Sequence, residues 1–109
     1  MSRQIKFGYE GKEYCLEYNR EAIKIMEKQG FELETFTNKP MNMMELAFQG
    51  AFLKNHRNIK GSTVLDIYEN MKDKRELANE LLNMISETYN SLFDDENVDE
   101  AKNISWKAV

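Results

Sequence analysis

Ile5-Lys6-Phe7-Gly8-Tyr9-Glu10-Gly11-Lys12-Glu13-Tyr14-Cys15-Leu16-Glu17-Tyr18 consists of two alternating runs joined by a glycine-containing turn. Ile5, Phe7 and Tyr9 share one face of an extended chain, with Gln4, Lys6 and Gly8 on the other. The alternation resumes with Tyr14, Leu16 and Tyr18. A side-chain period of two is that of a strand with one buried face. Two such runs around a short turn predict a β-hairpin over residues 3–18. An isolated hairpin is marginal in water, so its aromatic face must pack on helices or on another chain.

Past the hairpin the period changes to that of a helix. Asn19 is a suitable N-cap, with Glu21 near the positive helix end, and Ala22, Ile25 and Met26 share a face with Ile23 flanking. Gly30 is a left-handed stop on which Phe31 can close back against Met26, giving a helix over about 20–29. Phe31, Leu33 and Phe36 lie in an irregular connector. Pro40, with Asn38 as its cap, opens a helix over 40–55 whose apolar line is Met41, Met44, Phe48, Ala51 and Phe52. A polar break follows. Ser62 or Thr63 caps a helix over 63–72 carrying Val64, Leu65, Ile67, Tyr68 and Met71. Asp73 and Glu76 have capping-box spacing ahead of a helix over 74–93 with a stripe at Leu77, Leu81, Met84, Ile85, Thr88, Tyr89 and Leu92. The predicted class is α+β, mainly α: an N-terminal β-hairpin packed on a four-helix body in one globular domain, 1–93. Residues 94–109 read as a flexible acidic linker (Asp94, Asp95, Glu96, Asp99, Glu100) and a tail with Ile104 and Trp106.

Composition narrows the function. With 41% hydrophobic and 31% charged residues the chain has the makings of a folded domain. A net charge of −4 argues against nucleic acid and anionic membranes as partners. No apolar run approaches the roughly 20 residues of a spanning helix, the first residues lack the apolar stretch of a signal peptide, and the lone Cys15 has no disulfide partner within the chain. The expected location is the cytoplasm.

Chemistry finds little to use. Nucleophilic catalysis needs a nucleophile, a base and an orienting group. The chain offers one cysteine, Cys15, on the polar face of its strand, and one histidine, His56, in a basic loop. These read as unrelated residues. One His and one Cys do not build a zinc site, and the acidic run lacks the ligand spacing of a calcium loop. Gly8 and Gly11 flank a hairpin turn and form no phosphate loop. Lys54, His56, Arg57 and Lys60 read as a solvated loop. The expectation is a protein that is not an enzyme and has no cofactor or metal. Met41, Met43 and Met44 are the more suggestive feature, since flexible thioethers recur on adaptable binding surfaces.

The order of residues adds a resemblance. The run Phe7 to Glu21, then Met26-Glu27-Lys28-Gln29-Gly30-Phe31, Lys39-Pro40, Ala47-Phe48-Gln49-Gly50-Ala51-Phe52 and Asn103-Ile104-Ser105-Trp106 resembles the small tail assembly chaperones of long-tailed phages and prophages of Gram-positive bacteria. The resemblance implies a protein that works in the host bacterial cytoplasm, coats the aggregation-prone tape-measure protein during tail morphogenesis, and is absent from the mature virion. It also implies self-association, and a longer frameshifted product whose extension recruits the tail-tube protein. Ala101-Lys102-Asn103 can be encoded by a slippery heptamer suited to such a shift. The candidate client groove is then Met41, Met44, Phe48 and Phe52, and the candidate self-association residues are Tyr14 and Leu16 of the hairpin face with Trp106. Two rivals stand beside this reading. One is a structural virion component such as a tail connector; the other is a small DNA-binding or antitoxin-like regulator using the turn at 57–62.

Overall fold

Strands Ile5–Tyr9 (β1) and Lys12–Leu16 (β2) pair antiparallel, with Ile5 opposite Leu16 and Phe7 opposite Tyr14. Glu10 and Gly11 between them both have positive φ, 49° and 77°. That is the two-residue type I′ geometry whose twist matches the flanking strands. Four helices follow: α1 (Arg20–Lys28), α2 (Pro40–Gly50), α3 (Gly61–Asn70) and α4 (Lys74–Ser91), with a single 3-10 turn at Leu33–Thr35 ahead of α2. The computed structural model describes residues 3–91 and 107–108. The expectations for Leu92, the acidic run, Ala101-Lys102-Asn103, Ile104 and Trp106 lie outside the described residues. Within them the class is α+β, mainly α, with the hairpin against a four-helix body.

The ends of α1 are set locally. Asn19 is extended (φ −140°) and its side-chain oxygen accepts from Ala22 N–H at 2.8 Å. At the other end Gly30 has φ 104°. Gly30 N–H donates to Glu27 O and Phe31 N–H to Met26 O, both at 3.0 Å. This pair of bonds satisfies carbonyls that the last helical turn leaves open. Phe31 and Met26 are both buried. Ile23, taken as flanking, is buried with Ala22 and Met26, while Ile25 is half-buried.

The other helices depart from expectation at their ends. Lys39, not Asn38, holds the cap position of α2, and it makes no side-chain capping bond. The helix stops at Gly50 instead of running to Asn55. Ala51 O accepts from Glu17 N–H at 3.0 Å, and the chain tightens into three-residue bonds: Ala51 N–H to Phe48 O, Phe52 N–H to Gln49 O and Leu53 N–H to Gly50 O. α3 begins at Gly61, two residues before Thr63, with extended Lys60 at its cap position and no side-chain capping bond. Gly61 and Ser62 are exposed, so water can satisfy the first-turn donors. The helix ends at Asn70, where Met71 turns extended and the Lys74 ammonium donates to Glu69 O and Met71 O. Ahead of α4, Asp73 has φ 54° and its carbonyl accepts from Leu77 N–H at 2.9 Å. Its side chain makes no capping bond among the described residues, since capping is made from extended backbone.

The core gathers Leu16, Met26, Ala47, Phe48, Phe52, Ile67, Leu81 and Ile85 from every layer. Where α1 meets α2, Gly50 faces Met26: a Cβ at position 50 would overlap the Met26 Sδ and Cγ. Met26 is wholly buried and has no solvent into which to withdraw. Gly50→Ala is therefore expected to destabilise by about 1–3 kcal/mol through overpacking, lowering Tm by at least about 4 °C. Met26→Ala in the same chain should recover part of the Gly50→Ala loss in a double-mutant cycle of denaturation midpoints; strictly additive losses would refute the contact.

Candidate functional site: an apolar groove between two helices

Met41, Met44 and Phe48 recur at three- and four-residue spacing on α2, and Val64, Leu65 and Tyr68 lie along α3. Together they line a groove of about 210 Å³, completed by Glu45 and Gln49. Met44, Phe48 and Val64 are buried and belong to the core, so they form a fixed floor. The Phe48 ring stands edge-on to Tyr68, centroids 5.2 Å apart, and the Lys74 ammonium lies over the Tyr68 ring at 5.5 Å. The two polar lining residues bond each other, Gln49 Nε2 to Glu45 Oε1 at 3.4 Å. Met41 and Leu65 differ from the rest: at 86% and 46% exposure they are the large apolar side chains left in solvent among the described residues.

Three of the four residues expected to form a client groove are thus brought together. Phe52 is not among them. It is 1% exposed and packs edge-on against Tyr14 and Phe48, because the chain leaves the helix at Gly50 and carries it into the core. Leu65 takes the fourth place. The signal for it was present: successive helical residues are about 100° apart, which sets Leu65 off the stripe of Val64, Ile67, Tyr68 and Met71.

The hairpin face expected to serve self-association is covered by the chain's own helices and connections. Leu16 is fully buried and Tyr14 is 7% exposed, with rings of Phe7, Phe52 and His56 around it. These side chains are not offered to a second copy; Trp106 lies outside the described residues.

Cys15 and His56 turn out to be neighbours, joined through the backbone and not through the thiol. Cys15 N–H donates to His56 Nε2 at 3.0 Å, and Asn55 Nδ2 donates to Cys15 O at 3.2 Å. A ring nitrogen engaged in this way is not a free base. Lys54, expected in a solvated patch, points inward to the buried Glu17 carboxylate at 2.7 Å. Among the described residues, no group of three or more His, Cys, Asp or Glu side chains is placed to hold a metal ion. No helix there is long and apolar enough to cross a membrane.

The His56 contact makes a pH prediction. Burial lowers the His56 pKa below its ordinary 6.5, and the Lys12 charge lowers it further. Only the neutral imidazole can accept the Cys15 N–H. A folded-state pKa below the unfolded value means the unfolded chain binds the proton first. The contribution of His56 is then complete above about pH 6.5 and is lost as the pH falls through the lower folded value. Denaturation midpoints between neutral pH and about pH 5 should fall more in the wild type than in His56→Gln. Equal slopes would show that the histidine is not the sensor.

No curated protein and no solved structure matches the chain. A family model does match, across residues 1–109, and the chain belongs to that family, described as Domain of unknown function (DUF5055).

Proposed function

We propose that this protein is a non-catalytic phage tail assembly chaperone, and that its α2–α3 groove receives apolar side chains from a helical segment of the tape-measure protein. The observation that carries the groove is the exposure of Met41 and Leu65 on the two helices flanking a buried apolar floor. Isolated exposed apolar residues need no explanation, but two that line one groove do. At about 210 Å³ the groove takes one or two side chains and not a whole helix. Each contact is therefore weak, and many copies along an extended client supply avidity. Methionine at the lip suits a client whose side chains vary along its length. The identity of the client rests on the resemblance of the runs between Phe7 and Phe52. The same reading places the protein in the host cytoplasm and outside the finished virion, with a frameshifted longer form meeting the tail-tube protein.

The test is co-expression of the tagged chain with the tape-measure protein of the same phage or prophage, followed by capture and light scattering. The expected result is a soluble complex carrying several copies per client. The double variant Met41→Asp, Leu65→Asp should weaken capture at least about tenfold, while its helical circular dichroism stays at the wild-type level because both positions are exposed. A client left insoluble beside folded wild-type protein overturns the chaperone reading. Capture unaffected by the double variant overturns the groove.

A further inference from the structure

The hairpin has two outer edges, and the fold treats them differently. In a two-residue hairpin the residues flanking the turn form a hydrogen-bonded pair, and such pairs alternate with unbonded ones. From the observed register, Tyr9–Lys12, Phe7–Tyr14 and Ile5–Leu16 bond inward. Lys6 and Gly8 on β1, and Glu13 and Cys15 on β2 with Glu17 just beyond it, must direct their backbone groups outward. On the β2 side that row is filled from Cys15 onward: Cys15 N–H by His56, Cys15 O by Asn55, Glu17 N–H by Ala51 O. On the β1 side, no hydrogen bond reaches the outward backbone groups of Lys6 or Gly8 among the described residues, and both residues are exposed. An open strand edge is a template for another strand. The side chains agree, since Ile5, Phe7 and Tyr9 are only half-buried whereas Tyr14 and Leu16 across the hairpin are buried.

We propose that the open edge of β1 pairs antiparallel with β1 of a second copy of this chain, about a twofold axis at Phe7, forming a continuous four-stranded sheet. Three registers bring outward groups together near the axis. Pairing Lys6 with the partner's Lys6 sets like charges directly opposite, which is unfavourable. Pairing Gly8 with the partner's Gly8 runs Lys6 past the strand end into the turn. Pairing Lys6 with the partner's Gly8 avoids both. It makes two bonded pairs, four N–H···O bonds, and places Phe7 beside the partner's Phe7 as a close unbonded pair on the apolar face. Ile5 then faces the partner's Tyr9. The charges are complementary too. Gly8 lies opposite Glu13 within the hairpin, so across the bare glycine Lys6 meets the partner's Glu13 two strands away, about 10 Å between backbones, within the combined reach of the two side chains. A second copy is favoured as occupant because the edge is self-complementary in this register.

Position 8 offers a test in which the monomer and the dimer respond with opposite signs. Gly8 has no positive φ, and an added Cβ would have only Lys12 O near it, at 3.8 Å. Within its own hairpin a lysine there faces Glu13 favourably and a glutamate unfavourably. Across the proposed interface each faces the partner's Lys6, so the preference reverses. Sedimentation equilibrium of the full chain at low salt should show a wild-type dimer. G8K should raise its dissociation constant by about tenfold, and G8E should leave it unchanged or lower it. A wild type that is monomeric at every concentration overturns the proposal, as does a dimer indifferent to G8K or weakened equally by both variants. The quantity read is the dissociation constant of the chain alone, with no client present, so failure here and failure of client capture are told apart.

Discussion

Between the outer edge of β2 and the end of α2 runs a seam of polar contacts that joins the two halves of the molecule. Glu17 N–H donates to Ala51 O, Cys15 N–H to His56, and the Tyr18 hydroxyl to Ala47 O at 2.6 Å. Burial pushes the Tyr18 phenol well above its ordinary pKa, so it remains a donor throughout the physiological range. The Glu17 carboxylate is buried in the seam, where the Lys54 ammonium at 2.7 Å and the amides of Gln4 and Asn55 surround it. A buried charge is costly to desolvate and is tolerated when an opposite charge and further donors meet it. Such a cluster is poor evidence for net stability. It is better evidence for register, because a slip of one residue along β2 would leave a carboxylate in the core without its lysine.

The end of α2, beside the seam, also limits the groove. Glu17 N–H takes Ala51 O at the point where the bonds of the chain shorten from four residues to three and α2 ends. Phe52 is then delivered to the hairpin's Tyr14 and His56, where it closes the core beneath the sheet. What remains on the far side of α2 is its first half, where Met41 stands free and Met44 and Phe48 reach down to the core. α3 supplies the opposite wall. The apolar groove is thus what is left of a longer helical stripe whose C-terminal part was drawn inward.

How much of this could be read from sequence follows from the range of each cause. Asn19 and Gly30 act on backbone groups within a few residues, and the ends of α1 fall within a residue of expectation. The hairpin is equally local, since alternation and the Glu10-Gly11 turn determine it together. The end of α2 was not legible. Its apolar spacing continues through Phe52, although the chain shifts to three-residue bonds after Gly50 and meets Glu17 from beyond β2 there. The same reason separates the expected groove from the observed one: Phe52 lies on the helical stripe in sequence but not in space. Whether the hairpin face met helices or another chain was open from alternation alone, and only the packing of Tyr14 and Leu16 decides for the chain's own core. Cys15 and His56 are far apart in sequence and meet through a main-chain donor, which no residue-type pattern encodes.

The two surfaces left over obey different rules. On the proposed reading the groove is read by side chains, with a methionine that repacks and a floor that does not, so that it would discriminate by size and apolarity and tolerate variation in what it holds. The proposed pairing of the β1 edge is read by backbone, with a register set by where one lysine and one glycine fall, so that it would accept few partners in few ways. A weak and permissive contact gains most from being held beside a copy of itself, because the second engagement then occurs at a high effective concentration. On the proposed reading that is the division of labour in this fold. The edge sets how copies are arranged, the groove sets what they touch, and the polar seam between β2 and α2 occupies the other side of the hairpin from Cys15 onward.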